Sequence, residues 1–330
     1  MFADLLSKVQ GALNHWTTYK ISYAGKISLI NSVTFGLEQF WCSTLLLPKG
    51  VLRLINKFCK KILWNFEEGQ RKLIMKSWAS CCSPYQEGRF NIKEILSWNK
   101  CVICKWIWGL INQSDGFWNT WNYSYNIKQG DLWTMQKKST HSESWRSILQ
   151  VRDELVAMAG SGDNAQGLLQ SCVRKGKLRL HLLYDHFRQR GNTLSWTKAA
   201  WNRALLPKHS FFLVMAMQRK LATIDQLNIR GFYIVLTWLN MHNITVKLSK
   251  EMHWIAGRRA CKHWKARWYT SCLGAAVYCL WEERNTRIFS GQEHQFDYVV
   301  KRIQYLVKVR LLYVTHPSKE GEIVEALDGC

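Results

Sequence analysis

Apolar residues recur three and four positions apart along most of this chain, the spacing that gathers side chains on one face of an α-helix. Leu5, Leu6, Val9, Leu13 and Trp16 form a first stripe; beyond Gly25, Ile27, Ile30, Val33, Leu37 and Trp41 form a second. Pro48 precedes the clearest repeat, in which Val51, Leu52, Ile55, Phe58, Cys59, Ile62 and Leu63 alternate with Arg53, Lys57, Lys60 and Lys61 on the opposite face. A proline costs nothing at a helix start, because a first-turn N–H has no intrahelical partner. Glu87-Gly88 reads as a turn before a helix burying Ile95, Leu96, Val102, Ile103, Trp106, Ile107, Leu110 and Ile111 on one side.

The pattern lapses over 112–145, where Asn, Ser, Thr, Gln and Trp mix without a period and predict loops and short pieces. Residues 159–167 (AGSGDNAQG) are small and polar and predict a hinge. Helical spacing returns at Trp196–Trp201 and Phe211–Lys220, then at Ile224–Arg230 between an N-capping Thr223 and a C-capping Gly231. A long helix is expected over 255–285, with Cys261, Trp264, Trp268, Cys272, Ala275 and Cys279 on one stripe. A last helix turns Phe296, Val299, Val300, Ile303, Leu306 and Val307 inward and Lys301, Arg302, Lys308 and Arg310 outward. The fold class is therefore mainly α: two helical subdomains joined by irregular Trp-rich and polar loops. The segments are 1–135, helical; 136–195, a linker with short elements; 196–290, helical; and 291–330, a terminal helix and tail.

Charge changes what those helices mean. Against 23 Asp and Glu stand 46 Lys and Arg, a net charge of +23 spread along the whole chain. Such an excess favours polyanionic partners, nucleic acid first and an anionic membrane surface second. No run approaches the roughly 20 apolar residues of a membrane span, and the first residues lack a secretory pattern. The 11 cysteines are odd in number and irregularly spaced, which fits free thiols inside a cell, in the nucleus or cytoplasm. Eighteen tryptophans admit two roles: platforms on which unpaired bases stack, or core anchors.

Catalytic and metal chemistry finds little support in the residues. Cys101 and Cys104 have the C-x2-C spacing of a zinc pair, but both fall inside a strongly periodic apolar helix. Cys81-Cys82 are adjacent, and Cys261 of the trio His253, Cys261 and His263 belongs to a buried stripe. No nucleophile elbow, phosphate-binding loop or dinucleotide turn occurs, and the acidic pairs are sequence neighbours that a helix points apart. No catalytic residue, metal ligand or cofactor is expected. Three basic clusters carry the binding chemistry instead: Arg258, Arg259, Lys262, Lys265 and Arg267; Lys57, Lys60 and Lys61; and Arg174, Lys175, Lys177 and Arg179. Each is also what the wet side of an amphipathic helix looks like.

Several phrases then resemble one family. Ser22-Tyr23-Ala24-Gly25-Lys26, Leu29-Ile30-Asn31-Ser32-Val33, Leu47-Pro48-Lys49, Leu63-Trp64, Trp78, Glu87-Gly88, Trp98-Asn99-Lys100, Lys105 and Trp108 resemble the region downstream of the polymerase core in plant non-LTR (LINE-type) retrotransposon reverse transcriptases. Trp145, Ile148, Leu149 and Val151-Arg152-Asp153 match the next piece. Trp196, Ala200-Trp201-Asn202, Leu206-Pro207-Lys208-His209-Ser210-Phe211-Phe212 and Arg219-Lys220-Leu221-Ala222-Thr223 resemble the start of the reverse-transcriptase zinc-binding domain. Leu280-Trp281, Glu283-Arg284-Asn285 and Arg287-Ile288-Phe289 resemble its closing helix. The resemblance makes 1–135 a thumb- or connection-like region and 196–290 a zinc-binding-domain-like one, and many tryptophans inherited core anchors.

Two departures qualify it. The family's palm, with its paired aspartates, is expected upstream of Met1. After Gly231 the family's Cys-x2-Cys pair and following His and Cys have no counterparts in Phe232–Leu239, and His242 and His253 do not restore them. The resemblance thus implies a catalytically incomplete fragment that binds RNA or DNA without sequence preference, outside any membrane and in partnership with a full-length reverse transcriptase in trans. The competing reading is a decayed element without selected activity, or a helical protein-interaction module.

Overall fold

In the computed structural model, which describes residues 2–16, 19, 21–64, 76–113, 116–128, 130–221, 248, 252–253 and 264–314, the helical spacing becomes helices and one small hairpin. The side chains of Leu37 and Trp264, and the expected elements at 224–231 and 255–263, lie outside the described residues. The chain divides into two units: residues 1–20, 28–72 and 92–191 in the first, and 21–27, 73–91 and 192–330 in the second.

In the first unit, α1 (Ala3–His15) packs on α3 (Lys49–Trp64), burying Leu5, Val9 and Leu13 on one side and Val51, Leu52, Ile55, Cys59, Ile62 and Leu63 on the other. Trp16, expected on the α1 stripe, caps the helix and is 46% exposed. Between α2 (Tyr23–Thr44) and α3 the chain runs extended. Helix α5 (Ile95–Ile111) is the axis of the unit and packs against α6 (Phe117–Asn122), α7 (Glu143–Ala159) and α9 (Leu180–Phe187). Its pattern predicts one buried side. The helix is instead enclosed almost all round, and Lys105 is its one exposed residue.

A helix without a wet side must satisfy its interior polar groups internally. Asn99, 0% exposed, donates from Nδ2 to the carbonyls of Cys42 and Leu45 at 2.8 and 2.9 Å. Its Oδ1 accepts from the Leu47 N–H at 2.8 Å. Two turns further on, the Trp106 indole donates to Ser43 O at 2.6 Å, while Ser147 Oγ on α7 accepts from Leu46 N–H at 3.1 Å. The extended link between α2 and α3 is thereby fastened to both central helices.

Residues 136–195, read as a linker, hold α7, α8 (Gly162–Ser171) and α9. Trp145, Ile148, Leu149, Val151 and Leu155 of α7 are all buried in the main core. The expected hinge at 159–167 is two helix ends in succession: Gly160 closes α7 at φ +90°, and the Ser161 hydroxyl accepts from Asn164 N–H to start α8. Small polar residues there are cap chemistry, and Gly162 is required because a Cβ would meet the Trp133 ring at 2.9 Å. The 112–145 stretch includes α6 and one π turn, Tyr123–Ile127.

In the second unit, which also holds the short α4 (Trp78–Cys81) and α10 (Thr197–Ala200), α11 (Pro207–Met217) packs on α12 (Trp264–Ser290), which packs on α13 (Phe296–Val314). Pro207 opens its helix, as the same logic predicts for Pro48. Phe211 stacks with Tyr23 and with Phe90, each at 4.8 Å, and Phe212 lies 4.0 Å from Trp281. Gly274 lets α12 approach, since a Cβ there would stand 2.1 Å from Leu205 Cδ2. The stripe Trp268, Cys272, Ala275 and Cys279 is buried as expected. On α13, Val299, Ile303 and Val307 face inward, but Phe296 is 42% exposed: it starts the helix, where no neighbouring turn covers it. Among the described residues no helix is long and apolar enough to cross a membrane.

Replacing Asn99 by the near-isosteric Leu leaves two carbonyls and one N–H buried without partners. At about 1–3 kcal/mol for each unsatisfied group, the first unit should lose about 3–5 kcal/mol of stability in chemical denaturation. A loss below about 1 kcal/mol would show that the clamp is dispensable.

Candidate nucleic-acid interface

The cluster Arg174, Lys175, Lys177 and Arg179 sits on a two-stranded antiparallel hairpin, not on a helix. β1 (Val173–Arg174) and β2 (Lys177–Leu178) are joined by Lys175 at φ 54° and Gly176 at φ 71°. Two successive left-handed residues are what a two-residue hairpin turn needs to match the strand twist. The Arg179 N–H closes the base on Cys172 O at 3.0 Å. Val173 pairs with Leu178, and Leu178 packs on the core of the first unit, so the next pair, Arg174 and Lys177, faces the other way.

Two cations directly opposite each other in a ladder repel, by about 0.2–1 kcal/mol in typical pairs. No carboxylate among the described residues pairs with Arg174, Lys175, Lys177 or Arg179, and all four are exposed. Among the described residues the Arg174 guanidinium is oriented by the carbonyls of Ser171 and Val173, at 2.8 and 2.7 Å. A turn that holds unneutralised cations outward is complementary to a polyanion. Periodicity could not reveal it; the available signal was a Lys-Gly pair between two short apolar-and-basic pairs.

The second cluster is the solvent side of an amphipathic helix, as the pattern predicts. Arg53, Lys57, Lys60 and Lys61 are exposed along one face of α3, a helix with no acidic residue in it. Of the third cluster, Arg258, Arg259 and Lys262 lie outside the described residues, as does the Lys265 side chain. Arg267 is half-buried near the start of α12.

The cysteines behave as core residues. Cys101 and Cys104 are 0% exposed, and burial pushes both thiols well above their ordinary range. Burial likewise pushes Cys59 up to about 12, and Cys81 and Cys279 up to about 11. Zinc takes thiolates, which these sites disfavour. Among the described residues no three His, Cys, Asp or Glu side chains come together as a metal site.

Most described tryptophans are at least half-buried, and Trp64, Trp98, Trp145, Trp196 and Trp268 are buried; Trp16 and Trp121 are exposed. Lys76 was not singled out by its sequence. It is 7% exposed, with Nζ 4.7 Å from the Phe90 ring centroid and 3.3 Å from Gly88 O. Burial lowers its pKa to about 8, assisted by Arg89 and Lys220 and opposed by Cys81. Its role is to fasten the turn at Gly88.

Comparison with known proteins finds one family model and a curated relative. Residues 179–237 match the family model for zinc-binding in reverse transcriptase. A curated protein of Arabidopsis thaliana named for ribonuclease H is 27% identical over 171 residues, which make up 50% of this chain and 27% of that relative. The matched stretch thus spans little more than a quarter of the relative's length. No solved structure matches.

The residues present do not fit the zinc that the family's description implies. Residues 179–237 contain no cysteine, and their histidines are His181, His186 and His209. His209 is 2% exposed, its ring lies 5.1 Å from that of Tyr278, and its Nε2 has no hydrogen-bond partner among the described residues. Burial drives its pKa down to about 3, with Lys208 and Arg310 adding to the shift. Those cations oppose a bound dication as they oppose a proton.

A histidine that is neutral when folded and titrates near pH 6.5 when unfolded contributes its full stability above that pH. The contribution falls as pH drops from about 6.5 toward 3, by about 1.4 kcal/mol for each pH unit. Denaturation at pH 6.5 and pH 5 should therefore show the second unit losing about 1.6 kcal/mol, since the unfolded-state imidazole is already half protonated at pH 6.5. The variant His209→Asn should lose clearly less over the same interval; equal losses would assign the slope to other groups.

Proposed function

We propose that this chain is a nucleic-acid-binding segment derived from a plant LINE-type, non-LTR retrotransposon reverse transcriptase, holding RNA or DNA without sequence preference through its basic faces. The single observation that carries this reading is the 173–179 hairpin, whose Arg174 and Lys177 stand directly opposite one another with no neutralising carboxylate among the described residues. The basic face of α3 and the net charge of +23 support it. So do the family match at 179–237 and the resemblance to the plant relative.

On this reading the zinc-binding region is degenerate, because its donors are missing from the matched residues. The chain carries no polymerase step of its own and works in the nucleus or cytoplasm beside a full-length reverse transcriptase. Primer extension by the purified chain would overturn that part. The alternative of a decayed element predicts a non-cooperative melt with dye-binding apolar surface; the densely buried core of the first unit favours a cooperative one.

Binding of labelled RNA and DNA across a salt series tests the central claim. Phosphate neutralisation gives a steep linear dependence of log affinity on log salt, about 0.9 for each neutralised phosphate on duplex DNA. Reversing Arg174, Lys175 and Lys177 to Glu should weaken binding to all sequences alike and reduce the slope by about 2–3. Affinity indifferent to salt, or untouched by the reversal, would sink the proposal.

A further inference from the structure

We infer that Phe117, Trp121 and Tyr125 form a stacking site for unpaired nucleobases, so that the chain prefers single-stranded RNA or DNA to duplex. The inference rests on the polyanion-binding reading above and adds to it the form of nucleic acid bound.

The three rings recur four residues apart along α6 and the π turn that continues it, which places them in one row. They are 88%, 49% and 65% exposed, among the largest apolar surfaces the first unit leaves in solvent. Their presentation is fixed from behind. Trp118 packs 4.2 Å from Trp106 of α5, and Ile127 is buried in the core. Asn122, 2% exposed, donates to Trp118 O at 2.8 Å and accepts from Asn126 Nδ2 at 2.8 Å. On this fixed base the Trp121 and Tyr125 rings stack at 5.1 Å with an interplanar angle of 9°.

Two nearly parallel rings with solvent beside them form a stack that a further flat ring can extend. An unpaired base offers both of its faces to such a stack, whereas a base inside a duplex offers neither. Polar groups flank the row. A cavity of about 180 Å³ is lined by Leu110, Gln113 and, from the same segment as the rings, Asn119, Thr120, Tyr123 and Ser124; the amides and hydroxyls of these polar residues suit a base edge. Cations on the same packed elements suit phosphate: Lys105 is exposed on α5, which packs on α6, and Lys128 is exposed at the end of the π turn at φ 56°. Flat apolar faces, hydrogen-bonding edges and negative charge are combined in single-stranded nucleic acid. A protein helix docking by its aliphatic face would need neither the parallel rings nor the cations.

The test compares the full chain with Trp121→Leu/Tyr125→Leu and Trp121→Phe/Tyr125→Phe at one salt concentration, using labelled oligothymidylate and a duplex of equal phosphate number. Because the row is exposed, both variants should keep the melting transition of the parent. The Leu pair should lose single-strand affinity roughly tenfold for each stacked base, with duplex affinity unchanged, and the Phe pair should keep most of both. Equal loss on both ligands, or no loss on either, overturns the inference while leaving the basic-face reading standing. A dimer of the parent that becomes monomeric in the Leu pair, with both affinities unchanged, also overturns it and assigns the row to contact between copies. Failure of the parent to bind either ligand at low salt is different: it removes the basic-face reading, and the inference with it.

Discussion

Asn99 lies on a helix with almost no face toward solvent, and a buried amide is tolerable there only because its hydrogen-bonding groups are engaged. Its Nδ2 donates to the Cys42 carbonyl in the last turn of α2 and to the Leu45 carbonyl of the link that follows, and its oxygen accepts from the Leu47 N–H of that link. That link is extended, so groups within it such as the Leu45 carbonyl and the Leu46 and Leu47 N–H find their partners in side chains of α5 and α7. The arrangement is therefore reciprocal: the amide makes the link buriable, and the link makes the amide buriable. The consequence reaches further than three bonds. With the link fastened to α5 and α7, α3 is positioned with its apolar face on α1 and its basic face outward. The basic surface of α3 is thus set by an uncharged contact in the interior.

How far this was readable from the chain depends on what kind of force shapes each element. Where burial is one-sided, as on α3, spacing alone identifies the helix, its inner residues and its basic face. On α5 the apolar residues run nearly all round, so a search for one stripe finds a helix but misses its enclosure. Asn99 could be quoted as part of a family phrase, yet nothing in its spacing says that it bonds residues more than fifty positions away. The 159–167 stretch failed for another reason: glycine and serine in succession look loose in composition but serve here as the end of one helix and the start of the next. The hairpin at 173–179 is too short to show a period of two, and its turn is set by backbone angles.

The tryptophans and the charge, which began as two clues, separate in the structure. Most described tryptophans are substantially buried, and the indole N–H groups of Trp98, Trp145, Trp201 and Trp268 have no hydrogen-bond partner among the described residues. A buried, unsatisfied N–H costs about 1–3 kcal/mol, so these rings are retained for the area they bury. Core anchoring therefore accounts for most of the tryptophan content, and a binding role is left to a ring such as Trp121 that burial does not explain.

The second unit raises the question of what holds its described helices together. Zinc supplies folding free energy to domains too small or too polar to hold themselves together. Around α11 the described residues have another source. Phe211 stacks with Tyr23 and Phe90, Phe212 lies against Trp281, and Gly274 allows α12 close to Leu205. The α12–α13 corner is then closed by Glu283, which is 9% exposed. Burial alone would raise its pKa, but hydrogen bonds from Arg287, the His294 N–H and the His294 ring hold its carboxyl below the usual range. Aromatic packing supplies the area, and one satisfied carboxylate fixes the turn. Such a core does not depend on thiolates or neutral imidazoles, and it leaves His209 free to be what its surroundings make it: a neutral packing residue between cations.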